Sequence, residues 1–173
     1  MIRIIVLASI LWTMPVIFSG TAALGGEAVA ADKEKEKKRA RRVPALREST
    51  YRRLGEAQVM IDPESVAREE GEPPPEPTGT PQDAVNLLMD FKDKRGLNSY
   101  EKAQIWNTLA FAYYVLEDMK NTIKAYEMVL QQGVISEALE QQSLRALFQL
   151  HFGEGNYRKA IEYITKFEEA RGQ

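Results

Sequence analysis

A small side chain recurs at equal intervals along the chain, at Ala84, Thr122 and Ala160, and we call this interval the repeat length. A β-branched residue directly follows each of them, and a large apolar residue stands four positions later. Two antiparallel helices can approach closely only where a small side chain lies at their crossing, because larger side chains then fill the space beside it. The repeat therefore predicts an all-α fold of stacked antiparallel helix hairpins, about three in number.

The helices that precede these small residues repeat as well. Trp106 and Leu109 have apolar counterparts one repeat length later. His151, the single histidine of the chain, stands where Tyr113 stands in the preceding unit, which favours packing over ligation or catalysis. The residues predicted to pack within the hairpins are Ala84, Leu88, Trp106, Leu109, Tyr113, Thr122, Tyr126, Leu147, Ala160 and Ile164.

Capping residues and apolar periodicity set the predicted helix boundaries. Thr80 and Asp83 have the spacing of a capping box, and so do Asn98 and Glu101. Pro44 suits the first turn of a helix, where a missing N–H costs nothing. The predicted helices cover residues 44–60, 81–94, 99–116, 120–131, 137–152 and 156–170.

A proline-rich insertion at residues 61–81 separates the first predicted helix from the second. It contains six of the eight prolines and cannot form a regular helix. Because of this insertion the first helix lies outside the regular spacing, and we align its Leu54 and Gly55 with Leu109 and Ala110.

The N-terminus has the layout of a secretory signal peptide at residues 1–31. One arginine precedes an apolar run, and small residues follow it up to the predicted cleavage after Ala30 or Ala31. An uncleaved membrane anchor is the alternative, although about 22 Å of helix falls short of the hydrocarbon core. Residues 32–43 form a strongly basic segment, which we predict to be a mobile arm. Its role is either a contact with an anionic partner or that of a soluble spacer.

The motif Trp106-x2-Leu109-Ala110-x2-Tyr113, followed by Thr122-x3-Tyr126-x2-Val129, resembles the signature of the tetratricopeptide repeat (TPR). The resemblance covers residues 44–171 and implies a TPR-like α-solenoid that binds other proteins. Thr122 departs from the usual alanine. The repeat length also exceeds the usual one by about one helical turn.

Shorter blocks suggest a narrower resemblance. The segment from Leu97 to Gln104, the pair Trp106-Asn107, and the segment from Glu137 to Glu140 are similar to periplasmic TPR proteins found with TonB-dependent systems. That resemblance implies a periplasmic scaffold which supports a TonB–ExbB–ExbD-type complex for uptake across the outer membrane. An adaptor in envelope assembly or division is the alternative, and an enzyme is a remote one.

The composition offers little to catalysis or cofactor binding. The chain has no cysteine and one histidine, so we predict no catalytic residue, no metal site and no cofactor. A net charge of −2 gives no reason to expect a nucleic-acid partner.

The TPR resemblance implies a concave groove, lined by the first helix of each hairpin. Its residues mix amides with aromatic rings, which suits an extended peptide or a helix held by backbone hydrogen bonds and apolar contacts. Components of an inner-membrane TonB complex are the implied partners. Coverage of the groove by the proline-rich segment or by a second copy of the chain is the alternative. The predicted groove residues are Gln104, Asn107, Phe111, Tyr114, Gln142, Arg145, Gln149 and Phe152.

Overall fold

A computed structural model describes residues 41–66, 69 and 71–172 of the chain. The described residues all belong to one compact unit, which the division of the chain places at Lys37–Gln173. The predicted signal peptide and residues 32–40 of the predicted arm lie outside them. Within the described residues no helix is long and apolar enough to cross a bilayer.

The described residues contain six α-helices and no strand, which confirms the all-α prediction. A short 3-10 helix, Pro63–Ser65, follows the first of them, and the described residues between Ser65 and Pro81 have no regular structure. The helices are α1 (Glu48–Ile61), α2 (Pro81–Phe91), α3 (Ser99–Val115), α4 (Met119–Leu130), α5 (Glu137–Gly153) and α6 (Tyr157–Gly172).

The helices pack as three consecutive hairpins, α1 with α2, α3 with α4, and α5 with α6. Neighbouring hairpins join where α3 packs on α2 and where α5 packs on α4, and α1 also contacts α3. The larger apolar cluster includes buried residues of α1, α2 and α3, and a smaller one joins α3 to α4 and α5.

The three small residues of the repeat occupy equivalent places. Ala84, Thr122 and Ala160 are each the fourth residue of their helix, and each is buried. Thr122 fits because its hydroxyl donates a hydrogen bond to the carbonyl of Asp118, at 2.8 Å, so no polar atom is buried without a partner. Of the other residues predicted to pack, Leu88, Leu109 and Leu147 are fully buried, and Trp106, Tyr113, Tyr126 and Ile164 are half-buried.

The turns inside the second and third hairpins repeat the same hydrogen bond. The backbone N–H of Asp118 donates to the carbonyl of Tyr113 at 2.9 Å. At the equivalent place in the next hairpin, the backbone N–H of Asn156 donates to the carbonyl of His151 at 2.8 Å. The residue before each donor is left-handed, with φ of 58° at Glu117 and 76° at Gly155. Glycine adopts this conformation freely, whereas a glutamate is strained in it.

The first helix differs from its prediction in start and in register. It begins at Glu48 rather than at Pro44, because Arg47 is extended, with φ −69° and ψ 150°. The alignment of Gly55 with Ala110 is also wrong. Gly55 is exposed, with open space where a Cβ would lie, whereas Ala57 is fully buried in the larger apolar cluster.

A buried carboxylate fixes the start of α1 against α3. Glu101 is fully buried, and its carboxylate accepts both side-chain hydrogen bonds of Arg47, each at 2.8 Å. The hydroxyl of Thr50 donates to it at 2.6 Å, and the backbone N–H groups of Arg47 and Asn98 donate at 3.3 and 3.0 Å. A buried charge is tolerated when it is paired and hydrogen-bonded in this way.

These hydrogen bonds set the acidity of the carboxyl group. The guanidinium of Arg47 lowers the pKa of Glu101 from 4.5 to about 2, helped by Thr50 and the two backbone N–H groups, although burial acts in the opposite direction. The group therefore stays ionised until the solution is strongly acidic.

The C-terminal end of the predicted arm contacts the beginning of α5. Arg41 pairs with Glu140 of α5 at 2.8 Å and donates to the carbonyl of Ile135 at 3.4 Å. Residues 41–47 therefore pass from the start of α5 to the start of α3, and Arg41 is held by an ion pair rather than fully solvated.

We predict that Arg47→Ala lowers the free energy of unfolding well beyond the change in an exposed control, because Glu101 is then buried without its cation. Urea denaturation provides the measurement, and Arg52→Ala, an exposed neighbour, is the control with a change under about 0.5 kcal/mol. The double variant Arg47→Met/Glu101→Leu should recover most of the loss, because Leu139 fills the equivalent buried position in the next repeat. Equal losses in the single and double variants would contradict this account.

The same carboxylate predicts an acid-sensitive stability. Its pKa is lower when folded, so its contribution is complete above the unfolded pKa near 4.5 and is lost as the pH falls towards about 2. Denaturation curves over this range should show a smaller loss of stability in Arg47→Met/Glu101→Leu than in the unaltered chain. Parallel pH profiles would show that Glu101 is not the group that titrates.

The left-handed turns predict opposite effects at equivalent positions. Gly155→Ala should lower the free energy of unfolding by about 1 kcal/mol, because alanine is strained there. Glu117→Gly should raise it by a smaller amount, because glycine also makes the unfolded chain more flexible. Thermal melts followed by circular dichroism provide the measurement. Destabilisation by both substitutions would contradict the equivalence of the two turns.

Candidate partner-binding groove

The four predicted groove residues of α3 lie on one side of the helix, because their spacing of three, four and three residues follows the helical period. Gln104, Asn107 and Phe111 are half-buried, and Tyr114 is 50% exposed. The row therefore changes from polar and sheltered near its start to aromatic and open near the end of the helix.

Asn107 has an unsatisfied acceptor in this row. Its side-chain oxygen is shielded from solvent and has no hydrogen-bond partner among the described residues. A buried polar atom without a partner costs free energy, and such atoms are uncommon in folded proteins. A donor supplied by a bound molecule reaches this oxygen only after the Asn107 side chain turns outward, because water does not reach it in the free chain.

The two aromatic residues of the row differ in their roles. Phe111 packs against the larger apolar cluster, so replacing it would affect the core as well as the surface. Tyr114 is the more exposed ring, and it lies near enough to Tyr126 of α4 to raise the pKa of that phenol, after the larger effect of burial. Tyr114 is therefore the better probe of binding.

The four predicted groove residues of α5 are all exposed, but two of them contact aromatic rings of α6. The guanidinium of Arg145 lies 5.3 Å from the ring centre of Phe167, a cation–π contact that holds it against α6. The ring of Phe152 lies 5.5 Å from that of Tyr157. The amides of Gln142 and Gln149 have no described hydrogen bond and are the groups free to contact a ligand.

The structure places the two rows on helices that share α4 as a neighbour. Both α3 and α5 pack on α4, and they barely touch each other directly. A shallow depression near α5 and α6 is lined by other residues, among them Arg41, Glu140 and Lys166. None of the eight predicted groove residues lines it.

His151 has the geometry of a packing residue. Its ring is buried and stacks on that of Tyr163 at 5.5 Å, and neither nitrogen has a described hydrogen-bond partner. Burial lowers the pKa of His151, and nearby Lys159 lowers it further. Burial and Glu127, which accepts a hydrogen bond at 3.1 Å, raise the pKa of Tyr163 to about 12.

No group of acidic or histidine side chains able to hold a metal ion occurs in the described part of the chain. Sequence reasoning missed the contacts of Glu101 with Arg47 and Thr50. Its capping-box spacing with Asn98 was visible, and the structure confirms it, but the spacing does not reveal a cation that lies far away in the sequence. The available signal was that Glu101 stands where the next repeat has the apolar Leu139, which indicates a buried acid in need of a cation.

Comparisons of the chain with protein-family models, with curated proteins and with solved structures find no match.

Proposed function

We propose that the chain is a non-catalytic, TPR-like interaction protein of the periplasm that holds a partner protein along the row on α3. The observation that carries the proposal is the unsatisfied acceptor of Asn107, which lies on the same side of α3 as Phe111 and Tyr114. A site that offers one hydrogen-bond acceptor beside aromatic rings suits a polypeptide better than a small metabolite.

The TPR-like arrangement is part of the proposal. It is supported by small residues at the fourth position of α2, α4 and α6, and by the identical turn hydrogen bonds of the second and third hairpins. In stacks of this kind the first helix of each hairpin faces the concave side. The periplasmic location rests on the predicted signal peptide at residues 1–31.

The partner would be an extended peptide or an amphipathic helix. Asn107, with its side chain turned outward, accepts a hydrogen bond from the partner's backbone. The amides of Gln142 and Gln149 provide further donors and acceptors, and Tyr114 covers an apolar side chain. The sequence blocks that resemble TonB-associated proteins support components of a TonB–ExbB–ExbD-type complex as the partners, and the chain would act there as a scaffold.

We predict that Asn107→Leu and Tyr114→Ala each weaken partner binding about tenfold, with a larger loss in the double variant. Photo-crosslinking from position 114 in living cells, followed by detection of TonB, ExbB and ExbD, identifies the partner. Affinities of the captured component for each variant then give the size of the effect.

Met89→Ala, an exposed apolar residue on α2, is the matched control and should bind normally. Circular dichroism of all variants should match that of the unaltered chain, and thermal melts should show no loss of stability; Asn107→Leu should melt at the same or a higher temperature, because it removes an unsatisfied buried acceptor. Unchanged affinity in the double variant would overturn the α3 site. Crosslinks to envelope assembly proteins instead of the TonB complex would overturn the assigned partner and leave the site standing.

A further inference from the structure

The imidazole ring of His151 lies in the last turn of α5 and is 3% exposed. Both of its nitrogens are shielded from solvent, and neither has a hydrogen-bond partner among the described residues. A neutral imidazole leaves one donor and one acceptor unsatisfied there, whereas an imidazolium would leave two donors and a charge. The site therefore favours the neutral ring, because a buried charge without hydrogen bonds costs more free energy than a buried neutral polar group.

A stacking contact places the neutral ring within the packing of the third hairpin. The rings of His151 and Tyr163 are parallel to within 2°, and their centres are 5.5 Å apart. The phenol of Tyr163 in turn donates a hydrogen bond to the carboxylate of Glu127 at 3.1 Å. These three residues belong to α5, α6 and α4, so the position of the imidazole ring matters to the contacts among the last three helices.

The charged groups around His151 act on its ring in both directions. They are Glu127 of α4, Glu154 of the turn after α5, and Lys159 and Glu162 of α6. The three carboxylates and the C-terminal end of α5 favour the imidazolium, whereas burial and Lys159 oppose it. Burial has the largest effect, so the pKa of His151 lies below its ordinary value of 6.5. None of the carboxylates accepts a hydrogen bond from the ring where it stands.

We propose that His151 makes the third hairpin sensitive to mild acid. Because a protonated ring has no acceptor in its present position, it must leave the stack with Tyr163 to gain one, and Glu127 is the carboxylate that already contacts that stack. Protonation therefore loosens the packing of α5 and α6 on each other and on α4. The first hairpin and α3 contain no histidine and are joined through Glu101, so they keep their structure.

The chain then responds to acid in two separate steps. The pKa of His151 is lower when folded, so its contribution to stability is complete above the unfolded pKa near 6.5 and is lost as the pH falls below that value. The contribution of Glu101 is lost only below its unfolded pKa near 4.5. The third hairpin therefore loosens at a pH at which the carboxylate that joins α1 to α3 is still ionised.

His151 is the only histidine of the chain, so NMR of the imidazole in protein purified without a histidine tag follows this group alone. The ring should titrate below pH 6.5. Lys159→Met should raise its pKa and Glu127→Gln should lower it, because the two charges act in those directions. Glutamine keeps an acceptor for Tyr163. A pKa at or above 6.5 in the unaltered chain would overturn the proposal.

Thermal melts at pH 7.5 and pH 5.5 measure the effect on stability. The unaltered chain should melt about 3 °C lower at the acid pH, and His151→Phe, which keeps an aromatic ring but cannot take up a proton, should lose distinctly less. His151→Leu serves as a second variant in case phenylalanine is too large for the site. Each variant is compared with itself at the two pH values, so a constant loss of stability cancels. Equal acid losses in all three proteins would contradict the role of His151.

Hydrogen exchange, corrected for the intrinsic effect of pH, locates the response. Between pH 7.5 and pH 5.5 the amides of α5 and α6 should lose protection severalfold, and those of α1 and α3 should not change. His151→Phe should remove the difference. A uniform loss over all helices would overturn a response confined to the third hairpin. Asn107→Leu and Tyr114→Ala should keep the acid response, so failure of the α3 site and failure of this proposal are distinguishable.

Discussion

The buried carboxylate of Glu101 is the interaction on which the arrangement of the first three helices depends. It accepts hydrogen bonds from the start of α1, through Arg47 and Thr50, and from the cap of its own helix, through Asn98. The proline-rich loop between α1 and α2 is long and, where it is described, has little regular structure, so it does not fix the position of α1 by itself. Five hydrogen bonds to one ionised group fix the start of α1 against α3, because a charge that is shielded from water has few alternatives to its partners. The apolar residues of α1 pack the rest of the helix.

The second and third hairpins depend on repetition instead. Their crossings use a small residue at the same helical position, and their turns close with the same backbone hydrogen bond. Glu117 shows that the backbone geometry is kept even where the residue is unsuited to it, since Gly155 takes the same left-handed conformation without strain. Packing of the hairpin therefore dominates over the preference of a single turn residue.

The proposed binding row on α3 lies at the edge of the packed core. Phe111 packs against the larger apolar cluster, and the buried side-chain oxygen of Asn107 has no partner within the described residues. Tyr114, at the far end of the row, is exposed. The row suits a polypeptide that supplies a hydrogen-bond donor and an apolar side chain.

The sequence alone determined the all-α class, the caps at Thr80 and Asn98, and the burial of the equally spaced small residues, because these features depend on residues within a few positions of one another or on a repeated pattern. Only the tertiary structure decided that α1 uses Ala57 rather than Gly55, that Arg47 reaches Glu101, and that Arg145 lies over Phe167. Those outcomes depend on side chains brought together from distant parts of the chain. A local pattern gives the side of a helix on which a residue lies, but not which neighbour will cover it.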